Sequence, residues 1–499
     1  MASVGDVLTK LWMECGLDDK VPLHRLSVSA KGKNFCVSAS GVGLDCIVPS
    51  SFRVASAATI AISAAALAAA EVRALRRSAA ASVPPETFRQ NVSVDARAAV
   101  LEFRSERHAM LVGKPPEPLW DPLAGAYQCR DGRWVRVHTN FQHHKDRLLT
   151  VLGCAADADR EAVAQAFLEM DAFDVEERAA EAGAIVAVAR RPNEWVHHEQ
   201  GHAAAALPTI ILDPLGEPAS GDELALPPLT DNAQQPLEGI RVLDLTRIIA
   251  GPVAGRDLAY YGAEVLRITS PNLPHVPAAV LDVGRGKRSA HLDLTREEDR
   301  KKLRALVREA DVVIQAYRPG AIAALGFGPD ECAAIKPGII YCSLSAYSHV
   351  GPWAGRRGFD SIVQTSSGMN LAEAEAAGDE KLTPKVLPAQ AIDHGSGHLL
   401  ALAVMAGLMR RGAEKTGFHV RLSLLQTANC IRHLGIFEHG MDMDEDPALA
   451  EPELEESPSG YDGMILRHVP HAAKLEDTPA VHRHPSVPLG TDPPTFGQQ

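Results

Sequence analysis

The chain has 499 residues, 46% of them hydrophobic, with a formal net charge of −13 and a pI near 5.9. That is more than one core needs, so two or more lobes are expected. A net acidic surface argues against a nucleic-acid binder, whose affinity comes from neutralising phosphates, while leaving room for a local basic pocket that takes a small anion. The eight cysteines (Cys15, Cys36, Cys46, Cys129, Cys154, Cys332, Cys342 and Cys430) form no CxxC pair and read as reduced thiols of a cytoplasmic protein. The opening residues show no basic stretch followed by an apolar core, so no signal peptide is expected.

Residues 1–53 form an N-terminal segment with weak signals. Residues 54–77 predict an Ala-rich helix ending in RALRR. Its longest apolar run, 57–70, is too short to span a bilayer and reads as buried. NVSVDARAAVLEF predicts a short strand leading into a helix. GAYQCRDGRWVRVHT predicts a hairpin around RDG, and helices follow to about 190. The Pro-, Gly- and acid-rich stretch 213–236 reads as a linker.

From 237 to 436 the character changes. GIRVLDLT, EVLRIT, SAHLDL, DVVIQAY and GIIYCSLS read as strands separated by helices. That alternation predicts a doubly wound, mostly parallel sheet. TREEDRKKLRALVREA is amphipathic, with Thr295 and Glu298 spaced as a capping box. Residues 437–499 are acidic and Pro-rich and read in part as a mobile tail. An internal repeat is also visible. AATIAISAAALAAAEVRALRR followed by NVSVDARAAVLEF matches AIDHGSGHLLALAVMAGLMRR followed by HVRLSLLQTANCI. Superposing the Arg-Arg pairs sets Thr59 opposite Asp393.

Sheets of this type bind ligands beyond the carboxyl ends of their strands. The first such loop, TRIIAGP (246–252), lacks the GxGxxG pattern, so a dinucleotide site is unsupported. GRGKRSAHLDL places Arg285, Lys287 and Arg288 together, which suits a polyanion as well as an ordinary basic surface. Asp360, in GPWAGRRGFDSIVQTSSG, reads as a cap or turn residue. Asp393 reads either as an N-cap or as a functional carboxylate, because Gly395, Ser396 and Gly397 would leave room for a ligand beside free helix N–H groups. The histidine-rich stretches FQHHKD, VHHEQGH and RHVPHAAKLEDTPAVHRH read as solvated histidines, and no metal site is expected.

Five motifs occur in order: LEGIRVLDLTRIIAGP…LAYYGAEVLRI, GRGKRSAHLDL, ADVVIQAYRPGAIAALGFG, KPGIIYCSLSAYSHVGPWAGRRGFDSIVQTSSG and AIDHGSGHLLALAVMAGLMRR. Together they resemble the class III CoA-transferases over about 238–436. Residues 468–494 resemble that family's closing segment, and 54–212 its C-terminal half with the smaller domain. The chain therefore reads as a fused or permuted form. The resemblance implies a Rossmann-like sheet domain plus a smaller α+β domain, in an interlocked homodimer. It implies CoA transfer from an acyl-CoA to a carboxylic acid, with coenzyme A as substrate and no tightly bound cofactor. By resemblance the nucleophile falls on Asp393, and the CoA contacts fall around Arg247, Ala250, Leu292, Asp293, Ala316, Tyr317 and Arg357. Arg285, Lys287, Arg288 and Arg357 are candidates, from charge, for CoA's phosphates. The chain departs from the family's pattern at Ile249, where formyl-CoA transferase has a catalytic Gln, and at Ala316 and Ala324, which replace an Asn and an Arg; the alternatives to a transferase are a catalytically inactive CoA-binding member and a racemase-like enzyme. Phe359 stands where the related α-methylacyl-CoA racemases carry a His, which disfavours racemisation. An ordinary Asp titrates near pH ~3.9, so Asp393 is expected to be an ionised nucleophile at neutral pH.

Overall fold

The computed structural model describes residues 2–18, 21–30, 32–35, 42–218, 224–229, 235–478 and 480–497. Cys36 and parts of the 213–236 stretch lie outside them.

The core is a seven-stranded sheet. Its spatial order is Lys287–His291, Glu264–Thr269, Arg241–Leu245, Val312–Gln315, Ile340–Ser345, Gly417–Ser423 and Ile211–Leu215. The first six strands are parallel, and the last runs antiparallel at the edge. In register, Val265, Val242, Val312, Ile340 and Phe418 form one row across five strands. These side chains pack beneath the helices Val54–Ala81, Ala250–Tyr260 and Ala391–Glu414. One residue along, Leu266, Leu243, Val313 and Tyr341 face the other way, toward Glu297–Glu309 and Pro329–Ile335. Near-continuous apolar strands are what a sheet covered on both faces requires. Chain order runs outward in both directions from the boundary between Arg241–Leu245 and Val312–Gln315. The order therefore reverses there, and the loops leaving these two strands diverge to leave a crevice.

The repeat is structural. Val54–Ala81, Val92–Asp95 and Ala96–Glu102 give the same helix–strand–helix order as Ala391–Glu414, Gly417–Ser423 and Leu424–His433. The strand Val92–Asp95 lies between a parallel partner, Leu26–Ala30, and an antiparallel one, Ala473–Leu475. Gly417–Ser423 lies between Ile340–Ser345 and Ile211–Leu215 in the same way. The two long helices pack on each other, so the copies share one core. Asp95 and Ser423, at matching places, each cap the following helix by accepting from its first N–H groups.

Residues 125–188 form the smaller domain. The strands Gly125–Gln128 and Trp134–Val137 make the expected hairpin, Val186–Val188 adds a third strand, and three helices cover the sheet.

Several expectations need correction. The described part of 213–236 is not all linker: Asp213–Leu215 belong to the antiparallel edge strand, where Pro214 is tolerated because an edge strand has a free side. The tail is not a loose extension. It supplies Glu455–Pro458, Ile465–His468 and Ala473–Leu475, paired with each other or with the N-terminal half. Helix Val54–Ala81 has 28 residues, long and apolar enough to cross a membrane by length and composition, and its most apolar window is 94% buried within the protein. The 297–309 helix starts at Arg296 without a side-chain cap, and the Thr295 hydroxyl donates to Asp293 instead.

Candidate active site

Asp393 sits in the first turn of helix Ala391–Glu414 and is 7% exposed. It is not the cap. The helix begins at Gln390 with no side-chain cap of its own, and a carboxylate from another helix does the work. Asp360 opens helix Asp360–Ser366, and its Oδ2 accepts from the N–H groups of Ile392 and Asp393, both at 2.9 Å. The sequence reading of Asp360 as a cap is right in kind, but it caps the helix of Asp393 rather than its own. The Asp393 carboxylate accepts no hydrogen bond among the described residues and faces a cavity of about 450 Å³.

That cavity lies at the sheet's switch point. Its floor is the loop after Arg241–Leu245, from Arg247 to Gly251, and the loop after Val312–Gln315, from Ala316 to Ala321. Ile248, in that floor, holds φ 72°, a left-handed conformation that is costly for a β-branched residue. The N–H groups of Ala250 and Gly251 open helix Ala250–Tyr260 and precede its first intrahelical bond, so they are free to meet an anion. The opposite wall comes from the N-terminal half. Phe141, His143 and His144, at the start of helix Gln142–Leu152, line the cavity with Arg356, Arg357 and Phe359. Phe359 stacks on His138 at 3.8 Å between ring centroids, and the Arg247 guanidinium lies over Phe141 at 4.9 Å. Arg318 and Arg357 line the cavity without an ion pair among the described residues, whereas Arg356 is paired with Glu177 at 3.0 Å.

The structure sorts the sequence candidates into two groups. Arg247, Ala250, Ala316, Tyr317 and Arg357 share the cavity with Asp393. Arg285, Lys287, Arg288, Leu292 and Asp293 do not line it. Arg285 is buried against Asp282 at 2.8 Å, and Lys287 against Asp244 at 2.7 Å. Arg288 pairs with Glu264 and donates to the Thr495 carbonyl. Leu292 is core, and Asp293 accepts from Thr295 and Asn272. Gly395 and Gly397 lie inside the helix, so their N–H groups serve the helix and not a ligand. A Cβ on Gly397 would meet the Ala250 carbonyl oxygen at 2.7 Å, so this glycine makes room for another helix. Histidines 143 and 144 are not simply solvated: both reach the cavity and His144 is 6% exposed. Their signal in sequence, adjacent histidines before an amphipathic helix, is too common to single out.

Ionisation differs from expectation as well. Burial, with the charges of Asp360 and Glu106 added, pushes Asp393 well above the usual carboxylate range. Burial likewise raises Asp360 to about 6. Burial and neighbouring histidines and arginines hold His144 down at about 3, so its ring is neutral. Asp393 is thus a more basic carboxylate than an ordinary one, and a more basic carboxylate is the stronger nucleophile once ionised. Elsewhere, Glu102, Asp257 and His471 bring ligand atoms within 4.8 Å of one another. His471 Nε2 bonds Asp257 at 2.7 Å, and Arg256 lies 3.5 Å from Glu102, so these groups neutralise each other in a buried network.

A carboxylate at a crevice over a doubly wound sheet, ringed by arginines and free helix N–H groups, defines an α/β protein with a cavity suited to an anionic ligand. The profile of CoA-transferase family III matches residues 237–450. The match to a probable fatty acyl-CoA transferase of Mycobacterium tuberculosis is 37% identical over 212 residues, 40% of this chain and 53% of that protein. An acyl-CoA transferase of Gibberella moniliformis is 30% identical over 66% of this chain and 62% of its own length. Human succinyl-CoA:glutarate CoA-transferase is 32% identical over 41% and 48%. The crystal structure of the M. tuberculosis protein aligns at 35% identity with a TM-score of 0.38, covering 40% of this chain and 56% of that one. The chain thus spans about half to three-fifths of the length of these curated relatives.

Proposed function

We propose that this protein transfers coenzyme A from an acyl-CoA to a carboxylic acid, with Asp393 as the nucleophile. The observation that carries the reading is the division of labour between two aspartates. Asp360 satisfies the helix N–H groups, which leaves the Asp393 carboxylate uncommitted at the cavity. Asp393 attacks the thioester carbonyl, the C–S bond breaks, and an aspartyl anhydride forms as CoA leaves as thiolate. The thiolate attacks the aspartyl carbonyl, releasing the first acid and leaving an aspartyl-CoA thioester. The acceptor carboxylate reverses the sequence and restores Asp393. The N–H groups of Ala250 and Gly251 are placed to meet developing negative charge. Phe141 and Phe359 give the cavity an apolar side that protects an anhydride from water. Arg247, Arg318 and Arg357 supply positive charge for CoA's phosphates, a role that passes from Arg285, Lys287 and Arg288. Both walls come from one chain, so one chain supplies every group named. Purified Asp393→Ala should lose CoA exchange between acids by at least about 10³-fold. A wild-type rate in that variant would rule the nucleophile out.

A second reading draws on His143 and His144. Phe359 removes the racemase histidine, but the smaller domain brings imidazoles into the same cavity. A neutral His144 and a proton-bearing Asp393 would allow exchange of a thioester α-proton. Uptake of solvent deuterium by a branched acyl-CoA, lost in His144→Gln, would favour that reading. No uptake would leave CoA transfer alone.

A further inference from the structure

The two repeats meet across their long helices, and the same backbone contact is made twice with different side chains. On the Asp393 side, the segment after strand Val92–Asp95 presents Glu102 and Glu106 to His398 and His394. Glu106 Oε2 accepts from His394 Nε2 at 2.9 Å, and both residues are at most 4% exposed. Superposing the caps Asp95 and Ser423 puts Cys430 and Leu434 at the places of Glu102 and Glu106. Superposing the Arg-Arg pairs puts Ile60 and Ala64 at the places of His394 and His398. There the contact is apolar: Cys430 and Leu434 share a small apolar void with Ala57, Ile60 and Ala61. The fold therefore does not need a carboxylate at this position. Burying one is unfavourable unless it is paired, and this one is buried beside the residue whose counterpart is Thr59.

We propose that Glu106 is a positioning residue for the Asp393 carboxylate, acting through its hydrogen bond to His394 and through its own charge. This rests on the reading of Asp393 as the nucleophile. His394 is the next residue after Asp393 in the helix, so the bond from Glu106 adds a side-chain tie to the first turn that Asp360 holds by its backbone N–H groups. The charge of Glu106 opposes ionisation of Asp393 and so keeps it basic. The groups facing Asp393 are Asp360 and Glu106, with Arg247, Arg318, Arg356, Arg357, His143 and His144 around the cavity. Those facing Glu106 are His394 and Arg107, and its charge also acts on Arg104, His108, Asp360 and Asp393.

The test is the pH profile of kcat/KM for CoA transfer by the full chain. Glu106→Gln keeps an acceptor for His394 and removes the charge. Its acidic limb should move to lower pH by at least about half a unit, roughly a threefold gain on that limb, with a lower plateau. Glu106→Asp, which keeps the charge, should leave the limb in place and lower only the plateau. His394→Gln should do the same, and serves if the Gln variant folds poorly. Coincident limbs for wild type and Glu106→Gln, with Asp393→Asn inactive, would overturn this inference alone. An active Asp393→Asn would overturn both it and the reading it rests on.

Discussion

Gly397→Ala tests where the small residues of the Asp393 helix do their work. A methyl there would lie 2.6 Å from Val253 Cβ and Cγ1, and 2.7 Å from the Ala250 carbonyl oxygen. Ordinary contact begins at 3.4 Å, so the two helices must part by about 0.8 Å. The oxygen is backbone, at the start of helix Ala250–Tyr260, and cannot rotate away. Overpacking of this kind costs about 1–3 kcal/mol. The same displacement moves the Ala250–Gly251 N–H groups away from Asp393, one helical turn earlier, and a misplacement near 1 Å costs about 10²-fold in rate. Gly395→Ala is the control, since its methyl would meet the flexible Thr427 Cγ2 at 3.0 Å. Thermal unfolding and steady-state CoA transfer measured on both variants give the comparison. If Gly397→Ala behaves like Gly395→Ala in both assays, the close helix contact is wrong.

Other outcomes follow from the ion pairs and acids. Asp360 titrates near 6 in the fold against an ordinary 3.8, so its contribution is present below pH 3.8 and lost as pH rises through 6. The stability difference between wild type and Asp360→Asn should therefore shift toward the Asn variant by on the order of 2 kcal/mol from pH 4 to pH 7; a flat difference in urea titrations would contradict it. Arg256 joins Asp282 at 2.6 Å and Ser105 at 2.9 Å across the two halves, and Arg256→Met should cost about 3–5 kcal/mol by stranding buried carboxylates. A melting point like wild type would argue against that network. Arg357→Ala should raise KM for an acyl-CoA about tenfold or more, while Arg288→Ala should leave it within about twofold. The reverse order would return phosphate binding to the 284–294 motif.

Most strands of the main sheet were legible because they are buried on both faces and carry short apolar stretches, as in RVLDL and VVIQ, although the polar strand Lys287–His291 does not follow that pattern. The edge strand was not, because half-exposed Ile211–Leu215 carries a proline and an acid and resembles a linker. Arg285, Lys287 and Arg288 misled for a different reason. Sequence shows the charges of a basic cluster but not the acids that consume them: Lys287 is paired with Asp244, 43 positions earlier. Glu106 is nearly 300 positions from His394 and has no local pattern, so only the packed repeats expose it. Asp393 itself was legible as a choice between cap and chemistry, and the position of Asp360 decides against the cap.

The most direct test of the central claim is to trap the acyl-enzyme. Wild-type protein turning over an acyl-CoA and a carboxylic acid would be quenched with hydroxylamine and its peptides mapped by mass. The account predicts an aspartyl hydroxamate at Asp393 that depends on substrate and is absent from Asp393→Asn. Substrate-dependent modification at another carboxylate, or transfer at full rate with no modified peptide, would contradict it.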